Sequence, residues 1–181
     1  MPVIHSAYRI TCLGRTLKIN KPSDFPDNLT ALVLTKPIAA ASNIKEKTRI
    51  CSEETAKLSG IRKFLKFSEH TVVKVGSFEI KMAEISQDKT KYNIFINNTL
   101  YFMTFFPENF FPFPKNTTLL LPADSEYFAD DDFRKIEDFI AKTKPSKTVL
   151  SGNYSEKWFS MLKEKQNAEV RNEMAQENIF G

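Results

Sequence analysis

Apolar and polar residues alternate in short runs along the first third of the chain. Residues 8–19 carry two alternating runs that break at Gly14, and residues 31–35 form a continuous apolar run. Alternation with a period of two is typical of a strand with one buried face, whereas a short continuous apolar run is typical of a strand buried on both faces. A turn-rich stretch, residues 20–28, separates the two. The pattern predicts that the chain begins with strands of a sheet.

A helix is predicted directly after a further short strand at residues 48–51. Ser52 can accept a hydrogen bond from the first helical turn. Glu53 and Glu54 would complement the positive end of the helix dipole, and Gly60 is the kind of residue at which helices end. The order so far is therefore strand, loop, strand, helix.

The middle of the chain returns to a period of two. Residues 71–86 contain two alternating runs with a turn at residues 76–77, which is typical of a hairpin. Residues 92–97 and 99–106 are joined by two asparagines at 97–98, a pair that suits a tight turn. We therefore predict two antiparallel strand pairs in this region.

The last third of the chain alternates strand and helix patterns. Residues 117–123 are a continuous apolar run that predicts a buried strand, and residues 147–152 predict a final strand. Between them, apolar side chains recur at spacings of three and four residues and form one helical face: Phe133, Ile136, Phe139 and Ile140. We predict a last helix over residues 155–181.

Length and composition favour one domain. The chain has 181 residues, of which 41% are hydrophobic, enough for a single sizeable core. No apolar run approaches the roughly 18 to 20 residues that a membrane-spanning helix needs, and the start lacks the charged and apolar regions of a signal peptide. We therefore expect an intracellular protein, cytoplasmic or nuclear, that makes no membrane contact.

Residues that could ligate a metal are scarce. The chain has two histidines, His5 and His70, and two cysteines, Cys12 and Cys51, without zinc-ligand spacing. The acidic run at residues 130–132 could suit a hard cation, but three carboxylates before a helix more often cap its free N–H groups. We therefore expect no cofactor.

The order of these patterns resembles the metallo-β-lactamase fold. The stretch "LVLTKPIAAASNI" stands where that fold has its Thr-His-x-His-x-Asp-His loop, and "VKVGSFEIKMAEI" is similar to its hairpin. "NIFINNTLYFMTFF" is similar to the strands that lead to Gly-Asp-Phe, and "FRKIEDFIAKTKPSKTVLSG" to the closing unit. The resemblance implies a mixed α/β class: an αβ/βα sandwich, compact or truncated, with a C-terminal helix. It implies one domain over residues 1–162, followed by a polar helical tail over residues 163–181.

The metal-binding positions implied by the resemblance carry the wrong residue types. The three histidines and the aspartate of the first loop correspond to Lys36, Ile38, Ala40 and Ala41. The aspartate of Gly-Asp-Phe corresponds to Phe105, and the closing histidine falls near Gly152. None of these side chains is a zinc ligand of the family type. A middle ligand would fall near residues 86–88, where Asp88 is the one plausible donor. We expect a pseudoenzyme in which Phe105 helps to fill the former pocket as an apolar plug.

Two apolar segments are candidate partner surfaces. The first is a proline-interrupted loop, residues 107–115, whose three rings could form a satellite core, a protein-binding patch or a membrane foot: Phe110, Phe111 and Phe113. The second is the C-terminal segment, where Trp158 should dock on the domain and where Ile179 and Phe180 follow a charged stretch. A protein partner is expected through these segments, and a homo-oligomer is compatible with them.

Three functions are compatible with these features. The first is a non-catalytic assembly or scaffolding subunit that acts through protein–protein contacts. The second is a nucleic-acid-binding accessory subunit of a DNA- or RNA-processing complex, which the resemblance implies because several branches of that family are nucleases whose inactive relatives act as their partners. The net charge of +4 is compatible with this reading but does not decide it, since the basic residues are spread along the chain. The phosphate-contacting candidates of such a subunit are Lys36, Lys45, Lys47, Lys63 and Lys66. The third is a metal-dependent hydrolase whose ligands the resemblance does not locate.

Overall fold

The described residues of the chain fold into two sheets with helices on their outer faces. The computed structural model describes residues 1–39, 41–162 and 167–172, and of Ala41 only the backbone. The first sheet has the order β1-β2-β3-β4-β5-β6. Its strands are β1 Val3–Ser6, β2 Arg9–Cys12, β3 Arg15–Ile19, β4 Thr30–Val33, β5 Thr48–Cys51 and β6 Leu65–Lys66. The first three strands are antiparallel, and β3 to β6 are parallel.

The second sheet has the order β13-β12-β11-β10-β9-β8-β7. Its strands are β7 Val72–Val75, β8 Phe78–Ile85, β9 Tyr92–Ile96, β10 Leu100–Phe102, β11 Thr118–Pro122, β12 Lys147–Ser151 and β13 Ala168–Val170. Strands β7 to β10 are antiparallel and β10 to β13 are parallel. Three helices complete the described fold: α1 Glu53–Ser59, α2 Phe133–Thr143 and α3 Ser155–Leu162.

Side chains on successive strand positions enter different layers of the core. Leu120 packs between the sheets, whereas its neighbours Leu119 and Leu121 pack beneath α2 and α3. In the first sheet, Val33 faces the interior between the sheets while Leu32 packs with α1. Because side chains alternate across a strand, a strand with both faces covered needs a continuous apolar run. The layers are thus helix, sheet, sheet, helix, and the expected αβ/βα sandwich is confirmed.

The helix ends and the tight turn that the sequence predicts are present in the structure. Ser52 Oγ accepts the N–H of Thr55 at 3.1 Å, and Gly60 ends α1 in the left-handed conformation. Asn97 and Asn98 have φ values of 51° and 54°, as a tight two-residue turn between β9 and β10 requires. These contacts confirm the predicted helix and the predicted antiparallel pair.

The predicted last helix is present over Ser155–Leu162 and is wrong at residues 168–170, while residues 163–166 and 173–181 lie outside the described part of the chain. Residues Ala168–Val170 form strand β13, which pairs in parallel with β12. Arg171 donates its N–H to the Leu150 carbonyl at 2.9 Å, so the strand completes the sheet edge. Ala168 and Val170 pack on the core while Glu169 between them pairs with Lys147 at 2.9 Å. This alternation is a strand pattern, and pairing with β12 stabilises it where helix propensity alone would not decide.

Across the residues that the structure describes, no helix has the length and apolar character needed to cross a membrane.

Candidate functional site

The degenerate ligand positions lie just beyond strand ends. Lys36 and Ile38 follow β4, Phe105 follows β10 and Gly152 follows β12. The two sheets meet here, because Thr35 Oγ1 and Thr104 Oγ1 form a hydrogen bond of 2.6 Å between the segments after β4 and β10. The carboxyl ends of strands are where open α/β sheets place their ligands. This edge is therefore the candidate functional site.

Buried polar side chains bond to one another at this edge. Six side chains take part, and together we call them the closed edge: Tyr8, Asn20, Thr35, Thr104, Asp124 and Tyr127. The Tyr8 hydroxyl donates to Asp124 Oδ2 at 2.5 Å. Asn20 Nδ2 donates to Thr35 Oγ1 at 2.8 Å and to the Tyr127 hydroxyl at 2.9 Å. The hydrogen-bonding capacity of these groups is used inside the protein.

The tyrosines of the closed edge stay protonated at neutral pH. Burial, followed by the nearby Tyr127 and Asp124, raises the pKa of Tyr8 far above its ordinary value. Burial likewise raises the pKa of Tyr127. The neutral Tyr8 phenol therefore keeps its O–H as a donor to Asp124, whereas the hydroxyl of the half-buried Tyr127 accepts from Asn20 Nδ2.

Gly152 closes the edge on the side of the second sheet. Its φ is 107°, and a Cβ there would lie 2.8 Å from both the Ala123 carbonyl oxygen and Asp124 Oδ2. Its N–H donates to Asn172 Oδ1 at 2.9 Å. A side chain at this position would push against Asp124. Gly152 thus permits the tight approach of β12 to the segment after β11.

Lys36 is mostly buried at the rim of the closed edge. Its side chain is 15% exposed, and its Nζ lies 3.4 Å from Glu126 Oε2 and 5.1 Å from the centre of the Tyr127 ring. Together with Ile38 it lines an open cavity of 560 Å³. Because the ammonium group is already paired and stacked, Lys36 offers little surface to a phosphate.

The residues present do not fit the dinuclear metal site that the fold family implies. No zinc-ligating side chain is present at Lys36, Ile38, Phe105 or Gly152. Lysine carries an ammonium group, isoleucine and phenylalanine are apolar, and glycine has no side chain. Asp88, the remaining candidate, accepts hydrogen bonds from Ser86 and Thr90. In residues 1–39, 41–162 and 167–172, no group of three or more histidine, cysteine or acidic side chains could hold a metal ion. Ala40 and the Ala41 side chain lie outside the described part, and alanine offers no ligand atom in its side chain.

The expected apolar plug around Phe105 is not found in the described residues. Phe105 lines a separate cavity of 820 Å³, whereas Ile38 lines the 560 Å³ cavity. Thr104 is buried at the closed edge instead, and Phe105 is half-buried. Both residues lie in a bend after β10, and there Thr104 bonds to Thr35 while Phe105 lines the other cavity. A one-residue shift in the resemblance is enough to misplace the inward position.

The proline-interrupted loop is mainly a satellite core. Phe113 donates its N–H to the Thr143 carbonyl at 2.7 Å, and its ring centre lies 4.7 Å from that of Tyr101. Phe110 stacks on Phe139 with a centroid distance of 5.2 Å. Phe111 is 76% exposed. Of the three rings, Phe111 is therefore the one that is largely exposed to solvent.

Trp158 packs inside the protein and is not available to a partner. It is completely buried beside Phe128, Phe133 and Tyr154, and its Nε1 donates to the Asp130 carbonyl at 3.4 Å. Its place among the partner-binding candidates is therefore wrong, because α3 turns its apolar face onto the second sheet. Ile179 and Phe180 lie outside the described residues.

The other phosphate-contacting candidates are exposed on two separate segments. Lys45 and Lys47 precede β5, whereas Lys63 and Lys66 follow α1. Lys45 Nζ stands 5.1 Å above the Phe25 ring, and Lys66 pairs with Glu53 at 2.7 Å. Exposed pairs of this kind contribute little to stability and leave the lysines accessible to solvent.

Sequence reasoning missed one carboxylate. Glu84 lies in β8 and lines the 820 Å³ cavity beside Phe105. It accepts hydrogen bonds from Tyr101 and Asn93, which are both buried. The signal in the sequence is weak: Glu84 and Asn93 are polar residues within strands that are otherwise largely apolar. The pairing of β8 with β9 brings Glu84 opposite Asn93. This pairing could not be read from the sequence, because the register of the two strands shifts between Met82 and Glu84.

Comparisons with solved structures identify the fold. The chain is 12% identical to the metallo-β-lactamase fold protein YhfI from Bacillus subtilis, with a TM-score of 0.64, over 91% of this chain and 87% of that chain. It is also 12% identical to a proposed Zn-dependent hydrolase of the metallo-β-lactamase superfamily from Thermotoga maritima, over 82% of this chain and 73% of that chain. The TM-score of the second likeness is 0.44, and nothing further rests on it. No protein-family model and no curated protein matches the sequence. At 12% identity the likeness to YhfI concerns the fold and not the activity.

Proposed function

Because the chain has the metallo-β-lactamase fold, we propose that it is a non-catalytic member of that fold which acts as an assembly or scaffolding subunit through protein–protein contacts. One observation carries the non-catalytic part. Asn20, Thr35 and Thr104 are hydrogen-bonded to one another at the edge where the fold family holds its metals. A catalytic edge needs ligands or acid–base groups that face a substrate, and these groups face each other.

The scaffolding part is supported by an exposed aromatic ring on an anchored loop. Phe110 and Phe113 fix the loop to the domain, and Phe111 between them projects into solvent. A ring held in place by its neighbours loses little conformational freedom when a partner covers it. Phe111 is therefore the residue with which we propose that the loop contacts its partner.

Metal content and partner capture together test the proposal. The purified chain, produced with zinc and manganese in the medium, is expected to contain far less than one equivalent of either metal by mass spectrometry. A stoichiometric metal would overturn the non-catalytic proposal and favour the hydrolase alternative. Light scattering of the same sample measures its molar mass and so tests whether the chain forms a homo-oligomer.

Partner capture uses two matched variants. Tagged wild-type chain is recovered from its own cells with and without nuclease, and bound proteins are identified. Phe111→Ser is expected to lose the partner, whereas Phe25→Ser is expected to keep it, since Phe25 is an even more exposed ring (93% against 76%) beside a proline on another loop. Loss of all bound protein after nuclease treatment would instead favour the nucleic-acid alternative, with Lys45, Lys47 and Lys63 as its first targets.

A further inference from the structure

A second cleft lies beside the closed edge. It has a volume of 820 Å³ and opens between the β8–β9 turn, residues 86–91, and the segment 105–109. Its rim is bridged by a short hydrogen bond from Gln87 Nε2 to Glu108 Oε1. We call this cavity the Glu84 cleft, after the half-buried carboxylate that lines it.

The carboxylate of Glu84 is held in a fixed orientation. The Tyr101 hydroxyl donates to Glu84 Oε2 at 2.5 Å, and Asn93 Nδ2 donates to the same oxygen at 3.2 Å. Asn93 also donates to the Phe105 carbonyl at 3.1 Å, so one buried amide links the two walls of the cleft. Both bonds to Glu84 end on Oε2. In the part of the chain that the structure describes, no hydrogen bond or ion pair ends on Oε1.

The charges around the cleft favour a cation at Glu84. Hydrogen bonds from Ser86 and Thr90 lower the pKa of Asp88 to about 2, so that carboxylate is ionised at neutral pH. Glu108 adds a third carboxylate at the rim. Lys89 and Lys91 also line the cleft and are exposed, as Asp88 and Glu108 are, so three carboxylates stand against two ammonium groups. Among the described residues no cation pairs with Glu84, so a positively charged ligand would meet an oriented and unneutralised acceptor.

Aromatic rings supply the apolar part of the cleft. Phe105 and Phe106 are half-buried and line it together with Pro107. Phe106 is fixed by Phe128, with ring centres 5.0 Å apart, and Lys135 Nζ stands 5.7 Å from the centre of the Phe106 ring. A phenylalanine face attracts cations and also accommodates methylene groups. Side chains with both features are those of lysine and arginine.

We propose that the Glu84 cleft binds a lysine or arginine side chain of a partner protein, with the charged group on Glu84 Oε1 and the methylene groups against Phe105 and Phe106. This inference rests on the proposed function and deepens it, since it names the chemistry of the partner. The other occupant with the same chemistry, a free polyamine, is disfavoured. A polyamine carries several positive charges, but the cleft offers one oriented carboxylate. The two lysines at the rim would repel the remaining charges.

The test is a titration of the full chain followed by amide NMR. The probes are the peptide acetyl-Gly-Arg-Gly-amide, its uncharged counterpart with citrulline in place of arginine, and spermidine. We expect saturable shifts at residues 84–91 and 105–109 with the arginine peptide, and binding of the citrulline peptide that is weaker by about fivefold or more. Spermidine should bind more weakly than the arginine peptide.

Two glutamate variants and a matched control locate the charge. Glu84→Gln should weaken binding of the arginine peptide by about tenfold, and Glu108→Gln by about twofold, because Glu84 is the oriented carboxylate and Glu108 lies at the rim. Glu54→Gln, an exposed carboxylate on α1, removes the same charge elsewhere and should leave binding unchanged. If Glu84→Gln fails to fold, the comparison of the arginine and citrulline peptides and the Glu108→Gln variant still test whether the cleft binds a positive charge.

The proposal is overturned by equal affinity for the arginine and citrulline peptides, by shifts that map outside the cleft, or by tighter binding of spermidine than of the peptide. None of these results bears on metal content or on the effect of Phe111→Ser. A failed titration would therefore remove the cleft as a binding site and leave the proposed function to its own test.

Discussion

The closed edge and the Glu84 cleft are neighbours that use polar side chains in opposite ways. At the closed edge the polar side chains bond to one another, as the Tyr8 hydroxyl donates to Asp124 and Asn20 donates to Thr35. In the cleft, two buried donors orient one oxygen of Glu84, and no hydrogen bond among the described residues ends on the other. Hydrogen bonds that satisfy all partners stabilise a fold, whereas an oriented group with a free acceptor can recognise a ligand. The comparison separates a structural edge from a binding edge.

Replacing Gly152 is the strongest way to break the closed edge. We expect Gly152→Ala to lower the free energy of unfolding by about 3–5 kcal/mol, because the added Cβ meets backbone and Asp124 at a strained φ. Gly14→Ala is the matched control: Gly14 also has a positive φ, of 76°, but a Cβ there meets nothing within 4 Å. The control should cost only about 1 kcal/mol in urea unfolding. Equal losses in the two variants would contradict the tight packing at Gly152.

Removing Asp124 tests the hydrogen bonds of the closed edge directly. Asp124→Ala should lower the free energy of unfolding by about 2–3 kcal/mol, because the buried Tyr8 hydroxyl loses its acceptor. Asp131→Ala removes an exposed carboxylate and should change stability by less than about 0.5 kcal/mol. The measurement is urea unfolding of both variants with wild type. A double variant with Tyr8→Phe that is no more stable than Asp124→Ala would show that the contact is not the cause.

Alkaline pH should weaken both regions through their tyrosines. The folded-state pKa values of Tyr8, Tyr127 and Tyr101 are raised, so these phenols hold their protons while the unfolded chain releases them above about pH 10. The stabilisation is complete below that pH. It is lost above it at up to about 1.4 kcal/mol per pH unit for each tyrosine. Unfolding at pH 8 to 11 should give a shallower decline for Tyr8→Phe than for wild type, and parallel declines would contradict the prediction.

Glu84→Gln should have the smallest effect on stability. Glutamine keeps an oxygen that can accept from Tyr101 and Asn93, so we expect a change in the free energy of unfolding of less than about 1 kcal/mol. A large loss in urea unfolding would place Glu84 with the structural edge and remove the contrast between the two regions. A small loss combined with weaker binding of the arginine peptide would sharpen that contrast.

The sequence by itself determined the elements whose signals are local. The Ser52 cap, the turn at residues 97–98 and the apolar face of α2 are fixed by neighbours a few residues apart, and each was predicted. The continuous apolar runs at β4 and β11 also indicated buried strands, whereas the layered fold was expected from the resemblance to a known family. The residue types at Lys36, Ile38 and Gly152 predict that ligand side chains are lacking at the positions that the resemblance implies, and this remains a prediction.

Only the tertiary structure decided how distant segments meet. Strand β13 forms because β12 offers it an edge, which a sequence window cannot show. Thr104 rather than Phe105 takes part in the closed edge, because the fold places its hydroxyl in the bend after β10 beside that of Thr35, 69 positions earlier in the chain. Tyr101 and Asn93 reach Glu84 across the sheet, from strands β10 and β9. Local patterns encode elements through short-range contacts, whereas sites depend on side chains that pairing and packing bring together from far along the chain.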